Sequence, residues 1–118
     1  MYNYNKDIIL KEIRFLATSR GDLRDFPPQV RQKAGFQLDK IQKGNLPEDW
    51  KAMPSVGMGV KEIRIKEVDG IFRVMYVAKF QEAIYVLHCF QKKTQTTSLH
   101  DIALARERFR VLVNWRKQ

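Results

Sequence analysis

The chain has 118 residues, a net charge of +9 and a single cysteine, Cys89, with a pI near 9.9. That length makes one domain able to bury roughly two thirds of its unfolded surface without a metal or disulfide staple, and a lone cysteine excludes an internal bridge and fits a reducing cytosol. No run approaches the roughly 18 apolar residues of a membrane span and the first residues are too polar for a signal peptide, so a cytoplasmic protein with a polyanionic partner is expected, nucleic acid ahead of a membrane surface or an acidic protein.

Residues 8–16 alternate apolar side chains with Lys11, Glu12 and Arg14, which suits a first strand, a helical turn being the alternative. Ser19-Arg20-Gly21-Asp22 breaks that pattern, and Leu23 to Phe26 is expected to form one short helical turn. Val30, Ala34, Leu38 and Ile41 then mark a helical stripe that starts at Pro28 and stops at Gly44, with Lys40 and Lys43 in its last turn. Residues 44–59 carry Pro47, Pro54, Gly57 and Gly59 without periodicity and read as a long loop, with Gly57-Met58-Gly59 a turn into the next strand. Three strands follow at about 60–66, 71–79 and 83–91, joined by connections short enough for antiparallel hairpins. Ser98 and Asp101 form a capping box that opens a last helix carrying Ile102, Ala105, Phe109 and Leu112 on one face. The fold class is therefore α+β: a small single domain spanning residues 1–118, its antiparallel sheet made of the N-terminal strand and a three-stranded meander, packed with N-terminal helices and a C-terminal helix.

Strand alternation sorts the polar side chains. Ile63 and Ile65 share one face, leaving Glu62 and Arg64 on the other; Phe72, Val74 and Tyr76 share a face opposite Arg73. One apolar face and one arginine-bearing face are expected. In Tyr85 to Phe90 both alternating sets contain apolar groups, so the register stays open. The last strand ends in Lys92-Lys93, two adjacent cations at a fixed exit that suit a phosphate grip.

The order of elements, the strand Phe72-Arg73-Val74-Met75-Tyr76 and the strand ending in a basic pair resemble the RelE/HigB superfamily of toxins. Met53-Pro54-Ser55-Val56-Gly57-Met58-Gly59-Val60, Glu62-Ile63-Arg64 and Val86-Leu87-His88-Cys89-Phe90-Gln91-Lys92-Lys93-Thr94 resemble its phage-derived, HigB-like branch. The resemblance covers residues 8–113. It implies a RelE-like fold and a type II toxin–antitoxin toxin: a ribosome-dependent endoribonuclease that cuts messenger RNA in the decoding site without metal or cofactor. Its cognate antitoxin would be a HigA-like helix-turn-helix protein.

Such cleavage needs a proton acceptor for the ribose 2′-hydroxyl, fixed cations on the phosphate and a proton donor for the departing 5′ oxygen. The resemblance puts Arg73 on the phosphate; permanently charged, it is no base. Lys92 and Lys93 match the basic pair, one binding phosphate and the other serving as acid or base. Shorter family members often carry a tyrosine or histidine just beyond that pair, where this chain has Thr94-Gln95-Thr96-Thr97. His88 then becomes the candidate base, with Tyr76 and Tyr85 as alternatives. Lys51 and Arg64 are candidate RNA contacts, and Phe90 can stack on an unpaired base.

Each residue also has a plainer reading. His88 suits a hydrogen-bonded core histidine, Arg64 with Glu62 a surface pair, Arg73 a solvated strand face, Lys92 and Lys93 charges that protect a strand end, and Cys89 a small core residue. The two histidines are twelve residues apart and no His, Cys, Asp or Glu set shows metal-ligand spacing. The alternative function is a non-catalytic basic RNA- or protein-binding module of a mobile element.

Overall fold

The computed structural model describes residues 10–92 and 96–118. In chain order the elements are β1 (Glu12–Phe15), α1 (Ser19–Arg24), α2 (Pro28–Gln42), β2 (Trp50–Ala52), β3 (Val60–Glu67), β4 (Gly70–Val77), β5 (Ala83–Lys92) and α3 (Leu99–Arg116). The strands form one sheet in the order β1-β5-β4-β3-β2. The meander of β3, β4 and β5 is antiparallel as expected, but β1 runs parallel to β5, so the sheet is mixed. A parallel neighbour needs a long crossover, and α1, α2, β2, β3 and β4 lie between the two strands.

Several boundaries depart from the sequence reading for local reasons. Residues 8 and 9 of the expected first strand lie outside the described residues. Lys11 sends its backbone N–H to the Gln42 carbonyl instead of a ladder, and Ala17, at φ 50°, turns the chain after Leu16. The short helix sits at Ser19–Arg24 and not at Leu23 to Phe26, because Gly21 is carried inside it and Thr18 Oγ1 donates to the Asp22 carboxylate at 2.8 Å in its first turn. The long loop contains β2, an edge strand of three residues too short to show alternation. Among the described residues no helix is long and apolar enough to cross a membrane.

Both sheet faces are covered. On one, the α2 stripe of Val30, Ala34, Leu38 and Ile41 packs on Ile63, Val74 and Val86; on the other, Ala105 and Leu112 of α3, with Met53 and Val56 of the loop, pack on Met75, Val77 and Leu87. At Gly57 loop and helix approach closely: a Cβ there would stand 2.4 Å from the Phe109 ring. Arg64 and Arg73 do share a face, but the plainer reading of Arg73 as a solvated strand face is corrected. The face that carries Arg73 lies beneath α3, and Arg73 is fully buried.

The open register of β5 is resolved by a β-bulge. Tyr76 pairs with Val86 while the adjacent Met75 pairs with His88, leaving Leu87 as the extra residue. Val86 and Cys89 therefore face α2, whereas Leu87 packs in the α3-side core. That is why both alternating sets looked apolar.

Candidate functional site

Residues directly opposite in neighbouring strands project from the same face, so the ladders arrange the polar side chains under α3 in three rows. One row runs Lys51, Glu62, Met75, His88; the next Arg64, Arg73, Phe90; the third Lys66, Ile71, Lys92. All six described candidates, Lys51, Arg64, Arg73, His88, Phe90 and Lys92, fall on this one face. Lys93 lies outside the described residues.

Their environments differ sharply. Lys51 and Lys66 are exposed and Phe90 is half-buried; the Lys92 side chain is 30 % exposed. Arg64 is partly exposed and forms a two-pronged pair with Asp49 Oδ1, from Nε at 3.2 Å and Nη2 at 2.9 Å. Its partner is thus Asp49 of the loop and not Glu62. Arg73 and Glu62, both at 0 % side-chain exposure, pair with each other at 2.6 Å. Thr97, just before α3, ties them together: its Oγ1 accepts from Arg73 Nη1 at 2.9 Å and donates to Glu62 Oε2 at 3.0 Å. Arg73 therefore reaches no solvent in this conformation. It anchors the segment leading into α3.

The titratable centre is at the start of α3. Asp101 Oδ1 lies 2.8 Å from His88 Nε2, and Asp101 Oδ2 lies 3.3 Å from Lys92 Nζ. Ser98 Oγ donates to the same carboxylate and accepts from the Asp101 backbone N–H, closing the capping box. Burial pushes the Asp101 carboxyl up, but the hydrogen bonds from Ser98, His88 and Lys92 outweigh it and hold it below the usual carboxylate value. Burial is also the largest influence on His88 and holds it below the ordinary imidazole value, against the pull of Asp101. The pair is thus an ionised aspartate and a neutral histidine at neutral pH. With Nε2–H given to Asp101, the ring's lone pair sits on Nδ1, which lies 3.5 Å from Arg108 Nη1. Phe90 stacks on the ring at 4.5 Å between centroids, with 19° between planes.

The two tyrosines do not join this centre. Tyr76 is in the α2-side core, where burial raises its hydroxyl to about 12. Tyr85 bonds to Glu82 near the start of β5. Cys89 is in the α2-side core and its thiol is likewise pushed up by burial to about 12.

Sequence reasoning missed Asp101, Thr97, Glu62 and Arg108 as parts of the centre. The capping box did carry a signal, since it fixes Asp101 in the first turn of a helix that starts a few residues after Lys92. Linking that turn to His88 required the bulge. A sequence model of the family described as phage derived protein Gp49-like (DUF891) matches residues 21–110. No curated protein matches the chain.

Proposed function

The chain belongs to the phage-derived Gp49-like family, a family of RelE-like toxin–antitoxin toxins, and from that premise we propose that it is a metal-independent endoribonuclease of the HigB-like branch. It cuts messenger RNA on the ribosome in the cytoplasm and is silenced by a helix-turn-helix antitoxin. The observation that carries this reading is the placement of exposed and partly exposed cations, a half-buried aromatic ring and a neutral histidine on one sheet face. Lys51, Arg64 and Lys66 line the β2–β3 side of that face and Lys92 its β5 side, a span suited to a single-stranded phosphate backbone.

In the proposed reaction His88 Nδ1 takes the ribose 2′ proton once substrate has displaced Arg108 from it. Asp101, hydrogen-bonded to Nε2, holds the ring in the required tautomer and stabilises the imidazolium formed. The 2′ oxygen attacks the adjacent phosphorus, the bond from phosphorus to the 5′ oxygen breaks, and Lys92 and Lys93 stabilise the phosphate and protonate the leaving oxygen. Phe90 stacks on a neighbouring base. Arg73 works from below, fixing Glu62 and Thr97 and hence the approach to α3. One specific observation favours the alternative, a non-catalytic binding module: His88 is only 6 % exposed, and both its nitrogens already face protein groups.

Induced expression of the chain alone separates the two readings. Cleavage predicts growth arrest with codon-associated cuts in messenger RNA, reduced about 10² to 10³-fold by Lys92→Ala, as for other phosphate-stabilising donors. Normal growth with intact messages from a folded wild-type protein refutes it.

A further inference from the structure

At the opposite edge of the sheet from β2, a groove of about 490 Å³ runs between β1 and α3. Phe15, Leu16 and Leu112 line it, together with Val111 and Trp115, and these last two are 52 % and 57 % exposed. Tryptophan is among the side chains enriched at the energetic centres of protein–protein contacts, and here one stands half in water within an apolar groove. Arg14 and Arg108 flank the groove; Glu12 pairs with Arg14 and Glu107 with Arg110, whereas Arg108, bonded to the Leu87 carbonyl and Thr18 Oγ1, has no carboxylate partner among the described residues.

Charge decides among the occupants. An apolar groove offers RNA phosphates little, and two copies of a chain carrying +9 repel each other. We infer that the β1–α3 groove docks an acidic, apolar-faced segment of a protein partner, its apolar side chains against Val111 and Trp115 and its carboxylates on Arg14 and Arg108. Only the partner's identity as the antitoxin rests on the reading above. Arg108 gives the groove a direct line to the titratable centre, because its Nη1 donates to the Leu87 carbonyl at 2.8 Å and lies 3.5 Å from His88 Nδ1. A docked carboxylate that draws Arg108 outward changes the surroundings of His88 without covering the cation rows.

The test is panning of a random 16-residue peptide display library on the full-length chain, followed by affinity measurement of the selected synthetic peptides. Acidic, apolar-rich peptides should emerge, bind at least tenfold more weakly to Trp115→Ala and to Val111→Asp, and bind unchanged to Leu46→Ala, a substitution at an exposed apolar residue of the α2–β2 loop outside the groove lining. Binding should shift the His88 ring resonances, and a ten-nucleotide oligouridylate should not compete. Both substituted positions are exposed, and unchanged thermal unfolding verifies their folding. Selection of no peptide, selection of basic peptides, affinity indifferent to both groove variants, or displacement by the oligonucleotide would each overturn the inference. Unmoved His88 resonances overturn its link to the centre. Peptide binding does not depend on cleavage, so a chain that binds these peptides yet leaves messages intact refutes the toxin reading and not this one.

Discussion

Replacing Arg73 by methionine should destabilise the protein severely, and replacing Glu62 by leucine as well should restore most of the loss. The two groups are fully buried and 2.6 Å apart, and Thr97 bonds to both. Arg73→Met alone strands the Glu62 carboxylate in the interior, which costs about 3–5 kcal/mol. A domain of this size has about 5–15 kcal/mol in total, so the single variant forfeits from about a fifth to all of its stability. The double variant removes both charges, and exchanging a buried pair for apolar groups of similar volume is close to neutral or stabilising. Urea unfolding measures this directly: the midpoint should fall steeply for Arg73→Met and recover in the double variant with the slope unchanged. Equal destabilisation of single and double variants, or a stable Arg73→Met, would refute the account of Arg73 as a charge held by Glu62. The same double variant separates scaffold from chemistry, because a stable protein that still cuts RNA needs no arginine at that position.

His88 gives a pH-dependent expectation. Its folded value is depressed by burial, so the unfolded chain binds the proton more readily, and His88 lowers stability as pH falls below the unfolded value of about 6.5. Unfolding free energy should therefore rise between about pH 5 and 7 in the wild type and less so in His88→Gln; parallel profiles would show that the histidine is not held neutral. Cys89, its thiol raised to about 12, should resist a disulfide reagent at pH 8 in the native protein and react at the rate of an ordinary thiol in guanidinium. Rapid native modification would contradict its burial.

The parts of the fold that were legible in the sequence are those in which one period dominates. Val30, Ala34, Leu38 and Ile41 announce α2, and Ser98 with Asp101 announces the start of α3, because helical spacing and a cap are local signals. The parallel pairing of β1 was not legible: Ile13 and Phe15 fix which face is buried but not which neighbour the strand chooses. β2 escaped because three residues carry no period. In the site, Lys51, Arg64, Phe90 and Lys92 could be found as residue types beside strands, yet what separates Arg73 from Arg64 is the cover provided by Thr97 and α3. Alternation alone cannot tell a polar face open to water from one roofed by a helix. Asp101 was read as a cap and proves also to be the partner of His88, two tasks that one carboxylate can serve because its two oxygens point to different donors.

The bulge at Leu87 has a consequence for how this strand tolerates changes in length. It is a phase shift: before it, Tyr85 and Val86 keep step with the cores; beyond it, His88, Phe90 and Lys92 keep step with the site, one residue out of time with the first half. Were β5 regular through Leu87, those three side chains would point toward α2 and the site would be dismantled with no change of composition. Deleting Leu87 cancels the offset and preserves both orientations at the loss of one core side chain, whereas a further residue at the same point has to be absorbed by a second irregularity. Length variants here should therefore be asymmetric, with shortening far better tolerated than lengthening.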